Sequence, residues 1–242
     1  MKILGFQIAN KTRIKISFLG IKISLRSPLT YFYFNKIYQR KNNKLKRIYF
    51  LPNINIKFNG INSTVILENP KAFENTRFIL NNNSFIEIKN TPDNAIKDLF
   101  IEIGDHSKIY IDENFSTIGT KIYNAEPHKT VSIGKNCMFS ENTLIRTNDG
   151  HTIYSLKDLK PINFPLNVIL EDHIWVSKNV TILKGVKLNK DTVIAANSVV
   201  TKSCPESNVV LAGNPANIVR REIGWDKRNV FHYSMRKGFK YA

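Results

Sequence analysis

From Leu170 onward an aliphatic residue returns at every sixth position: Leu170, Val176, Ile182, Leu188, Ile194 and Val200. Four residues after each stands Ile174, Val180, Val186, Thr192, Ser198 or Cys204, all apolar or small. A strand alternates every second residue and a helix comes round in about 3.6. A period of six therefore fits neither an ordinary sheet nor an amphipathic helix. It fits an all-β hexapeptide β-helix, in which short flat strands wrap into a triangular prism with about 18 residues per coil. Leu170 should then stack under Leu188, Val176 under Ile194, and Ile182 under Val200. The same phase appears earlier at Ile133, Phe139 and Ile145, with Cys137 and Thr143 at the small positions. Cys137 and Cys204, the only cysteines, are thus expected as buried packing thiols rather than nucleophiles. Two thiols imply no disulfide framework.

The beat then fails once. Ile145 and Leu170 lie 25 residues apart, which is no multiple of six. The break opens with RTNDGHTIY, Arg146 to Tyr154, so a loop over 146–168 is inserted into the scaffold. It displays His151 beside Gly150. A neutral imidazole near pH 7 suits a general base; an exposed loop histidine without chemistry is the plain alternative. Asp149 could bond the imidazole and fix its tautomer, or make an Asx turn before Gly150, which Asp-Gly more often signals. Trp175 falls at the sixth position of a hexapeptide, a corner expected to face outward. An exposed indole there needs a partner, either a ligand or a neighbouring subunit.

Upstream, IEIGDHSKIYIDENFSTIG and STVILENP alternate like strands with Asn, Asp and Gly at the corners, as irregular early coils would. ISFLGIKISL reads as a β-hairpin around Gly20, and Tyr31 to Tyr49 as a helix with aromatic and basic faces. The organisation expected is a basic extension over 1–50, a β-helix over 51–220 and a basic tail over 221–242.

Charge narrows the partners. The chain carries 36 Lys and Arg against 19 Asp and Glu, a formal net charge of +17, and has no acid before Glu68. Such an excess favours nucleic acid, anionic lipid or an acidic glycan. A lysine-rich, AT-biased genome would also enrich Lys, Asn and Ile, but does not account for the missing acids. No run of apolar residues approaches a membrane span and no signal peptide is visible, so a cytoplasmic location is expected, with the inner face of the membrane as a variant. YFYFNKIYQRKNNKLKR could lie on an anionic bilayer.

The segment from Ile133 to Arg220 resembles the hexapeptide-repeat acetyltransferases. NDGH at 148–151, DHIWVSKNVTILKGVKL at 172–188, VIAANSVVTKS at 193–203 and AGNPANIVR at 212–220 carry the resemblance. Within that family the chain is most similar to the bacterial polysialic acid and capsule O-acetyltransferases. The resemblance implies a left-handed coil, although parallel crossovers are usually right-handed. It also implies a homotrimer with sites between neighbouring prisms, acetyl-CoA as cosubstrate, and no metal. The matching His151 would take the proton of a sugar hydroxyl attacking acetyl-CoA directly, and Trp175 would line the place where acceptor and thioester meet. Ser177, Lys178 and Ala196 would border the pantetheine arm; Thr201, Lys202, Asn217 and Arg220 would lie toward the nucleotide. Two departures stand out: Trp175-Val176-Ser177 replaces the usual W-I-G, and Ile194-Ala195-Ala196-Asn197-Ser198 the usual I-G-A-G-S.

The acceptor implied is an acidic surface glycan such as polysialic acid. An amino group on a nucleotide-linked sugar is the alternative within the family. A non-catalytic polyanion- or membrane-binding β-helix is the alternative outside it. Nucleic acid is not expected, because no helix-turn-helix, zinc finger or RNP-like motif occurs. A γ-type carbonic anhydrase needs three convergent histidines. His106, His128, His151, His173 and His232 stand 22, 23, 22 and 59 apart, and none of these is a multiple of six.

Overall fold

In a computed structural model, residues 34–49 and 51–240 are described in full, together with the backbones of strands Gly5–Asn10, Arg13–Phe18 and Ile21–Leu25. Three parallel sheets form the faces of a prism, and the chain visits them in turn, coil after coil. The first face includes Phe85–Ile88, Lys108–Ile111 and Val168–Leu170; the second Ile96–Lys97, Met138–Phe139 and Trp175–Val176; the third Phe100–Ile103, Thr120–Asn124 and Thr143–Arg146. The fold is the expected all-β parallel β-helix.

The stacking read from the six-residue beat is observed in register. Leu170 pairs with Leu188, Val176 with Ile194 and Ile182 with Val200. Below them lie Ile133, Phe139 and Ile145. All nine are buried, as are the small positions from Ile174 to Cys204. Short two-residue strands suffice because each backbone group bonds to the coil above and the coil below while the side chains alternate in and out. Phe115 fills the prism against Phe139, edge to face at 5.1 Å, a favoured geometry for buried rings.

Corners are made by residues in the left-handed region, chiefly asparagines such as Asn83, Asn114, Asn142, Asn179 and Asn197. Asparagine tolerates that backbone better than most residues. Its amide also chains upward: Asn142 donates to Asn179 and Asn179 to Asn197, both at 2.9 Å. Coil length is uneven. The first-face step from Asn35 to Ser63 takes 28 residues, the other lower coils 21 to 23, the loop-bearing coil 37, and those above it 18 and then 16.

One expectation for the N-terminal part needs correction. The helix expected over 31–49 is replaced, in its described residues, by a hairpin. Lys36–Lys41 pairs antiparallel with Lys44–Arg47, turning at Asn42 and Asn43, both at positive φ. Parallel pairing of Lys36–Lys41 with Thr64–Leu67 outweighs the local aromatic-basic pattern and carries the first face upstream of residue 50. Arg13–Phe18 and Ile21–Leu25 pair antiparallel around the expected turn; Gly20 itself lies outside the described residues.

After the last coil, Val210–Gly213 and Ala216–Arg220 pair antiparallel. The chain then descends the edge between first and second faces as a strap. Ile223 and Asn208 exchange two hydrogen bonds. The Trp225 indole donates to the His173 carbonyl at 2.8 Å, and the Lys227 ammonium to the Asn114 carbonyl at 3.1 Å. A helix over Val230–Lys237 follows, capped by Asn229 and ended by Gly238 at φ 71°. No helix among the described residues is long and apolar enough to cross a membrane.

Candidate active site

The 37-residue coil spends its excess at the corner between third and first faces. Thr147 closes the strand below and Asn167 begins the next, and between them the chain leaves the prism. The loop is held by few but specific bonds. The Leu166 amide donates to the Thr147 carbonyl at 2.9 Å, and the Ile162 amide to the Ile153 carbonyl at 2.8 Å. Asn163 lies at its centre. Its side-chain amide donates to the Asp149 carboxylate at 2.9 Å and to the His151 carbonyl at 2.8 Å, while its side-chain oxygen accepts from the Ile153 amide. From the coil above, the Lys184 ammonium bonds both the Asp149 carboxylate and the Asn163 carbonyl at 2.9 Å.

Asp149 is therefore an anchor. Its carboxylate is bonded by Lys184 and Asn163 rather than by the imidazole, and Lys184 above all holds its pKa below the ordinary value. Gly150 takes φ +85°, a turn that an L side chain would strain. His151 is exposed, and among the described residues its ring makes no hydrogen bond. It borders a cleft of about 240 Å³ walled by Glu126, Asn148, Asn163, Phe164 and Pro165.

Trp175 lies elsewhere. It sits on a second-face strand, not at a corner as the hexapeptide count suggested; the corners fall at His173 and Asn179. Its half-buried ring lies 5.9 Å from that of Trp225, tilted by 41°. Trp225 in turn stacks on His173 at 4.1 Å, nearly coplanar at 11°, and His173 Nδ1 meets Asp191 at 2.8 Å. The loop that carries His151 thus leaves the corner opposite the face that carries Trp175.

The other named residues divide in the same way. Ser177 and Lys178 follow the Trp175 strand, and Ala196 occupies the equivalent stretch one coil up, where the Asn197 amide donates to the Lys178 carbonyl at 3.0 Å. Lys178 pairs with Glu141 at 2.6 Å. Asn217 and Arg220 stand exposed on the terminal strand of the second face. Thr201 and Lys202 follow the third-face strand Val199–Val200, toward the loop corner. Cys137 is fully buried, and burial pushes its thiol up to about 12. Among the described residues no three His, Cys, Asp or Glu side chains gather as a metal site.

The sequence reading passed over Lys184, Asn163, Trp225 and the His173–Asp191 pair. Nothing in the sequence pairs Lys184 with Asp149, 35 residues away. For Trp225, 52 residues from its acceptor, no periodic signal exists.

No protein-family model matches the chain. Among curated proteins it is 34% identical over 119 residues to a polysialic acid O-acetyltransferase of Escherichia coli O1:K1 / APEC, covering 49% of this chain and 38% of that one. It is 34% identical over 105 residues to the polysialic acid O-acetyltransferase of Neisseria meningitidis, covering 43% and 48%. A galactoside O-acetyltransferase of Escherichia coli strain K12 is 29% identical over 154 residues, covering 57% and 72%. The matches thus span less than half the length of either polysialic acid relative. Among solved structures, the polysialic acid O-acetyltransferase OatWY superposes with a TM-score of 0.63 at 24% identity, covering 85% of this chain and 96% of that one. That likeness gives the fold: a left-handed β-helix of hexapeptide-repeat type, as the sequence resemblance implied.

Proposed function

We propose that the protein is an acetyl-CoA-dependent O-acetyltransferase acting on a hydroxyl of an acidic bacterial surface glycan, as its relatives' names suggest. The observation that carries this reading is the long coil, whose excess residues project an imidazole, unbonded among the described residues, beside a cleft. Direct transfer needs little more from the protein. His151 takes the proton of the acceptor hydroxyl as its oxygen attacks the thioester carbonyl. The carbon–sulfur bond then breaks, and the thiolate of coenzyme A recovers the proton from the imidazolium.

The site is completed by a second chain of a homotrimer. His151 and Trp175 lie on opposite sides of one prism. The loop also presents Ile153, Tyr154, Leu156, Leu159, Ile162 and Phe164 to solvent, an apolar patch suited to a neighbouring subunit. Trp175 offers a flat face to a sugar and an indole N–H to its oxygens. Lys178, Ala196, Asn217 and Arg220 lie along the second face and its edge, a polar and basic track fit for the cosubstrate's phosphates and amides. The net charge of +17 draws a polyanionic acceptor to the surface, and the reaction is placed in the cytoplasm, at or near the inner membrane.

The test is thiol release from acetyl-CoA against a panel of charged and neutral glycans. The wild type should turn over with acidic polymers, and turnover should fall as ionic strength rises. His151→Ala should lose most of kcat while acetyl-CoA affinity stays close to wild type. Near-wild-type turnover in that variant removes His151 from the reaction; equal use of a neutral monosaccharide removes the acidic acceptor.

A further inference from the structure

Among the described residues, no anion pairs with the guanidinium of Arg146. The residue ends the strand Thr143–Arg146, whose Thr143 and Ile145 point into the core while Leu144 and Arg146 point outward. Its guanidinium lies over the ring of Tyr123, 5.7 Å from the centroid, directly below it in register. Its Nε is buried and bonds to nothing. Among the described residues the Arg146 side chain makes no hydrogen bond or ion pair.

Three other arginines reach acids, Arg40 Glu68 and Glu87, Arg221 Glu206 and Arg228 Asp226, while Arg77, Arg220 and Arg236, which pair with no acid among the described residues, are exposed where Arg146 is half-buried. The acid nearest Arg146 in sequence, Asp149, is bonded to Lys184 and Asn163. Arg146 acts on it only through its field. Burying a donor without an acceptor is costly, and native structures seldom do it.

The position of this guanidinium points to a ligand. A Cβ on Gly150 would stand 3.1 Å from its terminal nitrogen. The missing side chain there leaves a terminal guanidinium nitrogen, unlike the buried Nε, beside the Asp149–Gly150–His151 turn. A planar fork of donors matches the two oxygens of a carboxylate. The phosphates of the cosubstrate are the other anions at hand: Ser177, Lys178 and Ala196, suited to the pantetheine arm, follow second-face strands, but Thr201 and Lys202 follow a third-face strand as Arg146 does, so acetyl-CoA affinity is measured beside glycan affinity.

We propose that Arg146 receives a carboxylate of the acidic acceptor and so positions the neighbouring hydroxyl for His151. This rests on the acyltransferase reading given above and adds the group that would make an acidic glycan the preferred acceptor.

The experiment compares wild type, Arg146→Lys and Arg146→Met on one acidic oligosaccharide and on the same oligosaccharide with its carboxylates reduced to alcohols. Acetyl transfer and glycan binding by calorimetry are both measured. In Arg146→Met the KM for the acidic form should rise ~10- to 100-fold, the loss expected for one charge-assisted pair. Arg146→Lys should recover part of that loss. The reduced glycan should be used equally by all three proteins, and KM for acetyl-CoA should not move. Equal losses on both glycans would overturn the assignment. So would a selective loss of acetyl-CoA affinity, which would assign the fork to a phosphate, or a change in oligomeric state, which would assign it to an acid on a neighbouring copy. Should the wild type transfer acetyl to neither glycan, the acyltransferase reading fails, and calorimetry alone still decides whether Arg146 binds the carboxylate.

Discussion

Replacing Lys184 by Met removes the ammonium and keeps the length of the stem, which isolates the electrostatic anchor of the His151 loop. Two bonds are lost, to the Asp149 carboxylate and to the Asn163 carbonyl. A hydrogen bond involving a charged group contributes about 1.5–3 kcal/mol when shielded from water. The side chains of Lys184 and Asp149 are 19% and 34% exposed, so solvent screening reduces this to about 1–2 kcal/mol. The loss should appear as loop opening, because Lys184 ties the loop to the coil above while the prism keeps its core. Native-state hydrogen exchange reads this directly. The amides of Ile153, Ile162 and Leu166, bonded within and at the root of the loop, should exchange roughly 5- to 30-fold faster. Those of Ile182 and Leu188 should not change. Unaltered exchange in the loop would show that Lys184 does not hold it, and equal acceleration throughout would show that the lysine supports the whole fold.

Three further outcomes follow from the same structure. Because Asp149 is held below the ordinary carboxylate value, its contribution is present at neutral pH and is lost as pH falls from about 4 through its lower native value; loop protection should fade over that range in wild type and stay flat in Asp149→Asn, as exchange at matched intrinsic rates would reveal. With its thiol pushed up to about 12 by burial, Cys137 should ignore a thiol reagent at pH 8 until the protein unfolds, and rapid labelling of that residue in the native state would contradict the packing. In Gly104→Ala the new Cβ would stand 2.1 Å from the Ala125 carbonyl oxygen of the next coil, so the coils must separate locally at a cost of about 1–3 kcal/mol; calorimetry should find the melting temperature lowered by roughly 2–12 °C, and an unchanged value would mean the spacing is slack.

The upper prism was legible because its information is periodic and local. An aliphatic at every sixth position names both the inward residues and their partners one coil away, and Leu170 over Ile133 follows once the break is allowed for. The lower coils were harder, since steps of 21 to 23 residues carry corners of varying length. Lys36–Lys41 illustrates the limit. Its local pattern suits a helix, and only pairing with Thr64–Leu67 makes it a strand. Within the candidate site the sequence singled out the break and His151, because an interruption is visible against a regular beat. It gave no access to Lys184 and Asn163, whose partners depend on how the loop folds back, or to the missing acid beside Arg146, which is a property of geometry alone.

The strap that descends from the last coil has a consequence for how the molecule melts. A stack whose members touch only adjacent members is a one-dimensional array, free to unzip from either end. Here Lys227 bonds Asn114, a residue 113 positions earlier, and Trp225 grips the His173 corner on the way. Fraying of the terminal turns must first peel this tether from several layers at once. The C-terminal part of the molecule should therefore unfold as one cooperative block instead of turn by turn, and removal of the tail should give back the gradual unravelling of an untied array.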